Sequence, residues 1–213
     1  MLGKFQRQLR NYLNGMMEWA EATGMVCRDR ARVTIKRGLR QLLQWSLACG
    51  FSFANFFTVV CVDNLGHHKW TAIATNSVTN AGLNSVLNVY LNAATQITVW
   101  YIGLVDVTGF TAFASSDTAA SHAGWTEVTA YAAATRPAWT GTSSTAQSTS
   151  NSSTVNFAIN ATKQVKGIFF ISENTKTGAT GTLFSTAAFT AGNQSVASGD
   201  TLQVTYTVSA ATT

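Results

Sequence analysis

The chain has 213 residues, of which 46% are apolar and only 11% charged, and its formal net charge is +5. That length suits one moderate domain with an appendage, and the apolar share is enough to build a full core. A charge content under half the usual share of about 25% excludes the Lys/Glu-coated surface of an ordinary lone soluble protein. Thr, Ser, Asn and Ala take that place, which suits β-rich surface and surface set against other subunits.

Residues 1–50 carry nine Lys/Arg against three acids, whereas residues 51–213 carry five against six. The pI of about 9.3 therefore belongs to the first fifty residues. Within them Phe5, Leu9, Tyr12, Leu13, Met16 and Met17 recur at three- and four-residue steps, and Gly24 breaks the run. A second helical run follows, with Val33, Ile35, Leu39, Leu42 and Leu43 among Arg28, Arg30, Arg32, Lys36, Arg37 and Arg40. The pattern predicts a basic helical N-terminal arm over 1–50, too short to be stable without a partner surface. Its plain reading is a solvated helix face. Its functional reading is an anchor, onto an acidic protein face in preference to non-specific contact with nucleic acid, since no aromatic base-reading pattern accompanies the cations.

Residues 41–62 contain no charge, a run long enough to span a bilayer. Gln44, Ser46, Ser52, Asn55 and Thr58 interrupt it, and its second half alternates like a strand, so a strand is preferred to a membrane span. Residues 56–62 and 67–75 flank the turn sequence Asp63-Asn64-Leu65-Gly66 and predict a hairpin. One helix follows, capped by Thr79 or Asn80, with Leu83, Val86, Leu87, Tyr90 and Leu91 as its amphipathic apolar face and Asn84, Asn88 and Asn92 opposite. Residues 97–105 are apolar on both faces beyond Thr98 and predict a central strand. Loop is expected over 107–124, strand over 125–131, and exposed loop over the Ser/Thr-rich stretch 140–154. Strands are then expected near 155–159, 165–171, 182–189 and 201–208, with turns at 173–181 and 192–200. The whole predicts a mainly β protein: an antiparallel β-sandwich or jelly-roll-like domain over 51–213 with one inserted helix, behind the 1–50 arm.

No reactive cluster emerges from the residue pattern. Cys27, Cys49 and Cys61 are odd in number and irregularly spaced, as free buried thiols of a reducing cytosol would be. His67 and His68 are neighbours that point apart on a strand, and His122 has no partner at ligand spacing, so no metal site is expected. Asp117, Ser121 and His122 could suggest a catalytic triad, but such proximity arises by chance in a chain so rich in Ser, and no nucleophile elbow is present. Asp63, Asp106, Asp117, Glu127, Glu173 and Asp200 include no pair singled out for glycoside cleavage. No phosphate- or dinucleotide-binding glycine pattern occurs, so no cofactor is expected. Of the tryptophans Trp70, Trp100, Trp125 and Trp139, the pair Trp125 and Trp139 flank irregular segments and are the candidates for exposed aromatic contacts with a sugar or a base.

Several runs together resemble small virion proteins of tailed bacteriophages and prophages. They are Asn-Ser-Val-Thr-Asn-Ala-Gly-Leu-Asn at 76–84, Trp-Tyr-Ile-Gly-Leu-Val-Asp at 100–106, Gly-Trp-Thr-Glu-Val-Thr-Ala-Tyr at 124–131 and Ala-Thr-Arg-Pro-Ala-Trp at 134–139. Gly-Ile-Phe-Phe-Ile-Ser at 167–172, Gly-Thr-Leu-Phe at 181–184 and Ser-Gly-Asp-Thr-Leu at 198–202 continue the resemblance, which covers about three quarters of the chain and leaves out 1–50. It implies a non-enzymatic structural role, foremost a capsid decoration (cement) protein that binds major capsid protein or other virion subunits as a homo-oligomer, with a trimer expected. The alternatives are a tail or head-fibre adhesin that binds a receptor or glycan, and a membrane-anchored β domain.

Overall fold

The computed structural model describes residues 51–212, within which one compact unit spans Phe53–Ala210. The expected basic arm at 1–50, including Arg28, Arg30, Arg32, Lys36, Arg37 and Arg40, lies outside the described residues. In chain order the elements are β1 (Phe51–Val62), β2 (His68–Thr75), β3 (Ser77–Val78), α1 (Asn80–Leu91), β4 (Trp100–Asp106), β5 (Glu127–Val128) and β6 (Ala138–Trp139). They continue with β7 (Ser148–Ser150), β8 (Val155–Ala158), β9 (Lys163–Ile171), β10 (Leu183–Ala188), β11 (Gln194–Val196) and β12 (Thr201–Thr212). The described chain is mainly β, its registered strand pairs are all antiparallel, and α1 is its one helix.

Two sheets form. One runs β2-β1-β12-β7, with β8 also on β12; the other runs β3-β10-β9-β4-β5, with β11 on β9 and β6 on β4. The β1–β2 hairpin forms where its turn sequence predicts it. Asp63 Oδ1 accepts from the Leu65 and His67 N–H groups at 2.9 and 2.8 Å, and Gly66 takes the positive φ of +85° that the turn needs. The alternation of β1 and β2 turns Phe57, Val59, Cys61, Ala72 and Ala74 inward. Leu202, Val204 and Tyr206 of β12 join them, and all pack against Ile102, Leu104, Ile168 and Phe170 of the other sheet in one core. Tyr206 stands at its centre. Its ring stacks on Phe57 at 4.0 Å with the planes 9° apart, and lies 4.7 Å from Phe170. Its hydroxyl accepts from Asn76 Nδ2 at 2.8 Å and meets Ser185 Oγ at 3.2 Å.

The central strands β4 and β9 are buried on both faces, which explains their unbroken apolar runs. Their second face lies under the 107–126 segment, where Trp125 and Ala119 pack on Val105, Phe169 and Ile171, flanked by Phe110 and Phe113. The 107–124 segment, expected as loop, and Trp125, expected to open a strand over 125–131, thus roof one sheet, and the strand itself is confined to Glu127–Val128. Gly103 permits a close crossing there, because a Cβ at that position would stand 2.1 Å from the Phe169 ring.

The 140–154 stretch is not wholly loop. β7 pairs with β12 through Ser148, Thr149 and Ser150, and a two-residue turn joins Thr145 to Ser148. Ala146 and Gln147 both hold positive φ, 49° and 58°, so the turn has the twist that hairpins favour without the usual Asn-Gly signal.

α1 begins at Thr79, whose Oγ1 accepts from the Gly82 N–H at 3.0 Å and donates to the Leu183 carbonyl. The helix packs on β10 through Gly82. With Ser85, Val86 and Val89 at helical spacing from it, Gly82 defines the covered side. The expected apolar face is therefore turned outward by roughly a third of a turn.

Candidate functional site

Each described carboxylate already has partners, and these partners fix the geometry of the polar regions. Asp117 Oδ2 accepts from the Ala114 N–H at 3.0 Å and from Trp125 Nε1–H at 2.9 Å. His122 turns Nδ1 to the Thr118 carbonyl at 3.0 Å and stacks on Trp125 at 4.1 Å. Asp117, Ser121 and His122 thus share one loop, but the carboxylate is bonded to the indole, so the imidazole has no orienting carboxylate from this group. Asp106 caps its own strand end through the Thr108 N–H and pairs with Lys163 at 3.2 Å. Asp63 holds the hairpin turn and reaches His67 Nδ1 at 3.1 Å, while His68 Nε2 lies 2.9 Å from Thr71. Among the described residues no group of three or more His, Cys, Asp or Glu gathers at metal-binding distance.

The strongest electrostatic feature is a buried ion pair. Arg136 and Glu127 are each only 3% exposed at the side chain. Arg136 Nε and Nη2 donate to the two carboxylate oxygens at 2.9 and 2.8 Å, and Nη1 donates to the Glu173 carbonyl at 2.8 Å. The Thr177 N–H adds a third donor to Glu127 at 2.6 Å, and the guanidinium lies 5.1 Å from the Phe169 ring centre. A bidentate pair of this kind offsets part of its desolvation because each nitrogen and oxygen that it buries has at least one hydrogen-bond partner. It pins the 127–136 segment to the 173–177 turn. There Glu173, held by Thr180 Oγ1 and by the Thr175 side chain and N–H, is drawn down to about 2. A concavity of about 160 Å³ lies beside the pair, lined by His122, Trp125 and Thr177 among others.

A second cluster closes the base of the hairpin. Asp200, 4% exposed, accepts from Lys69 Nζ at 2.5 Å and from the Ala197 N–H at 2.7 Å, with Cys61 Sγ at 3.8 Å. Burial pushes Asp200 up, but the Lys69 and Ala197 hydrogen bonds outweigh it and hold the carboxyl below its ordinary range. Burial, then the Asp200 charge, raises the Cys61 thiol to about 11, so it stays protonated and inert.

Of the candidates for exposed aromatic contacts, Trp125 and Trp139, the first needs correction. That residue is 4% exposed, because its ring roofs Phe169 and its N–H is satisfied by Asp117. Trp139 is half-buried and sits edge-on to Phe170 and Tyr206, with Nε1 donating to the Tyr206 carbonyl at 3.4 Å. Trp100 stacks on Phe170, and Trp70 donates to the Ser195 carbonyl at 3.0 Å. These rings are used mainly inside the domain.

Part of what the fold leaves outside is apolar. Leu83, Leu87, Tyr90 and Leu91 of α1 are 42%, 52%, 83% and 76% exposed. Phe56 and Ile73 are exposed on the outer face of the β1–β2 hairpin. Helical periodicity alone assigned the α1 residues to an inward face. The sequence signal that reverses the assignment is Gly82, a residue small enough to set helix backbone on strand backbone. Comparison with protein-family models and with curated proteins gives no match. Among the described residues, no helix is long and apolar enough to cross a membrane, and the second half of the charge-free 41–62 run is strand β1.

Proposed function

We propose that the chain is a non-enzymatic virion structural protein of a tailed bacteriophage or prophage, foremost a capsid decoration protein assembled onto the shell in the host cytoplasm. We read its two facing sheets as a β-sandwich and residues 1–50 as a basic arm that docks on the major capsid protein or a neighbouring subunit. The observation that carries this reading is the division of labour among side chains. Every described carboxylate is engaged in caps, turns or ion pairs that hold the fold, while the exposed faces present Thr, Ser, Asn and apolar residues, as suits lateral contact with other subunits. The runs that resemble phage virion proteins support the same role. Residues 100–106 and 167–172 build β4 and β9, 124–131 and 134–139 carry the Glu127–Arg136 pair, and 198–202 carries Asp200. Burial against an assembled shell, and not against free subunits, stabilises the particle by mass action. The burial of Trp125 removes one of the rings that the adhesin alternative used together with Trp139 and the Ser/Thr-rich loops.

The test is co-sedimentation with assembled shells of the encoding phage. The full chain is expected to pellet with shells. A variant with Arg28, Arg30, Arg32, Lys36, Arg37 and Arg40 all changed to Gln should remain in the supernatant. No co-sedimentation of the full chain, together with a specific signal on a glycan array, would replace the capsid reading with a tail or head-fibre one.

A further inference from the structure

An amphipathic helix normally hides its leucines and exposes its polar side. α1 does the reverse on one face: Leu83, Leu87, Tyr90 and Leu91 fall at i, i+4, i+7 and i+8 and stand in solvent, while Gly82 and its neighbours meet β10. From their exposures these four side chains offer ~500 Å² in one stripe, at the upper end of what a lone monomer leaves bare. That is more than half of the ~800 Å² per partner in a standard interface.

We propose that this stripe is a self-association face, on which α1 of one copy crosses α1 of a second copy about a two-fold axis near Leu87. The occupant follows from charge. No residue from Trp70 to Val105 carries one, so the helix itself offers nothing to select a charged partner. In a two-fold contact residue i meets j as j meets i, and only residues near the axis meet their own symmetry mates; like charges there would repel, and the helix places none there. Leu87 lies midway along the stripe and therefore at the crossing point. Asn88 and Asn92, bonded to each other at 3.1 Å, lie away from the stripe and leave its crossing point apolar. The inference rests on the lateral subunit contact in the proposed function and sets a two-fold pair in place of the expected trimer, but it concerns the free protein. Failure to bind shells leaves it standing, and failure to pair leaves shell binding open.

The experiment is sedimentation velocity of the full 22.7 kDa chain over micromolar concentrations, without shells. The wild type should sediment with twice the chain mass. Leu87→Asp and Leu87→Lys should each weaken pairing by roughly 100-fold or more, since each buries two like charges at the axis. Both should keep the wild-type circular dichroism, because Leu87 is over half exposed. Mixed in equal amounts, the two variants should pair again through opposite charges at the axis, a result that a merely structural role for Leu87 does not give. A monomeric or trimeric wild type, undiminished pairing in the charged variants, or no recovery on mixing would each overturn the proposal.

Discussion

Gly82→Ala sets two effects of opposite sign against each other. Helix propensity alone favours Ala over Gly by about 1 kcal/mol. The added Cβ, however, would stand 2.4 Å from the Phe184 carbonyl oxygen and 3.0 Å from both Phe184 Cα and Val78 Cγ1. Two of those obstacles are strand backbone, so the helix must lift off β10 by roughly 1 Å to reach ordinary contact distance. Overpacking of this kind costs about 1–3 kcal/mol. The shift also strains the Thr79 cap, whose Oγ1 binds the Gly82 N–H and the Leu183 carbonyl together; loss of such a cap costs about 1 kcal/mol. The clash and the cap outweigh propensity, giving a net loss of about 1–3 kcal/mol and a fall in Tm of roughly 3–10 °C. The assay is thermal unfolding of the full chain followed by circular dichroism and tryptophan fluorescence. Asn84→Ala is the outward-facing control and should be neutral or slightly stabilising. A Gly82→Ala protein more stable than wild type by about 1 kcal/mol would refute the close packing of α1 on β10 and the outward leucine stripe with it.

Three further outcomes follow from the same geometry. Glu127→Ala should cost about 3–5 kcal/mol in urea denaturation, because it leaves Arg136 buried without a counter-charge. Replacing both by Met should cost markedly less, and equal losses would contradict the pairing. Ala146→Asn with Gln147→Gly should stabilise the domain by about 1 kcal/mol, since the turn already holds positive φ at both positions; a loss would show that the side chains now present do more than close the turn. Asp106, Asp200 and Glu173 have carboxyls held below their ordinary values in the folded state. Their contribution is complete above the ordinary carboxylate range and is lost as pH falls from about 4 toward the lowered folded values. Melting temperature should therefore decline on acidification below that range, with a shallower slope in Asp200→Asn; stability that rises with acid would contradict the sign.

The fold was legible in the sequence wherever one local signal sufficed. Asp63 to Gly66 announced the hairpin, Thr79 or Asn80 the helix start, and the two-sided apolar run of 97–105 the central place of β4. Signals that depend on a distant partner were not legible. Ser148 to Ser150 carry no apolar alternation, because β7 is a polar edge held by its hydrogen bonds to β12. Trp125 stands in an irregular segment and so resembles a surface ring, yet that segment is the roof over Phe169. The leucines of α1 have inward periodicity, but the direction of a helix face is set by what it touches, and Gly82 chose β10. Glu127 and Arg136 were visible only as an isolated acid and an isolated base; nothing in their spacing announces a bidentate buried pair.

The position of β12 also bears on how the chain is made. β12 lies between β1 and β7 in its sheet and brings Tyr206 to the centre of the core, yet of the described strands it is the last to be synthesised. At ordinary translation speeds β1 waits on the order of 10 s for its inner neighbour, with Phe57 and Val59 uncovered and one edge of the β1–β2 hairpin unpaired. That pairing of high sequence separation makes completion of the domain late and slow. The same open edge, present on every nascent copy, is where one unfinished chain can borrow a β12 from another, so expression at reduced temperature or with a holding chaperone should raise the yield of correctly closed domains.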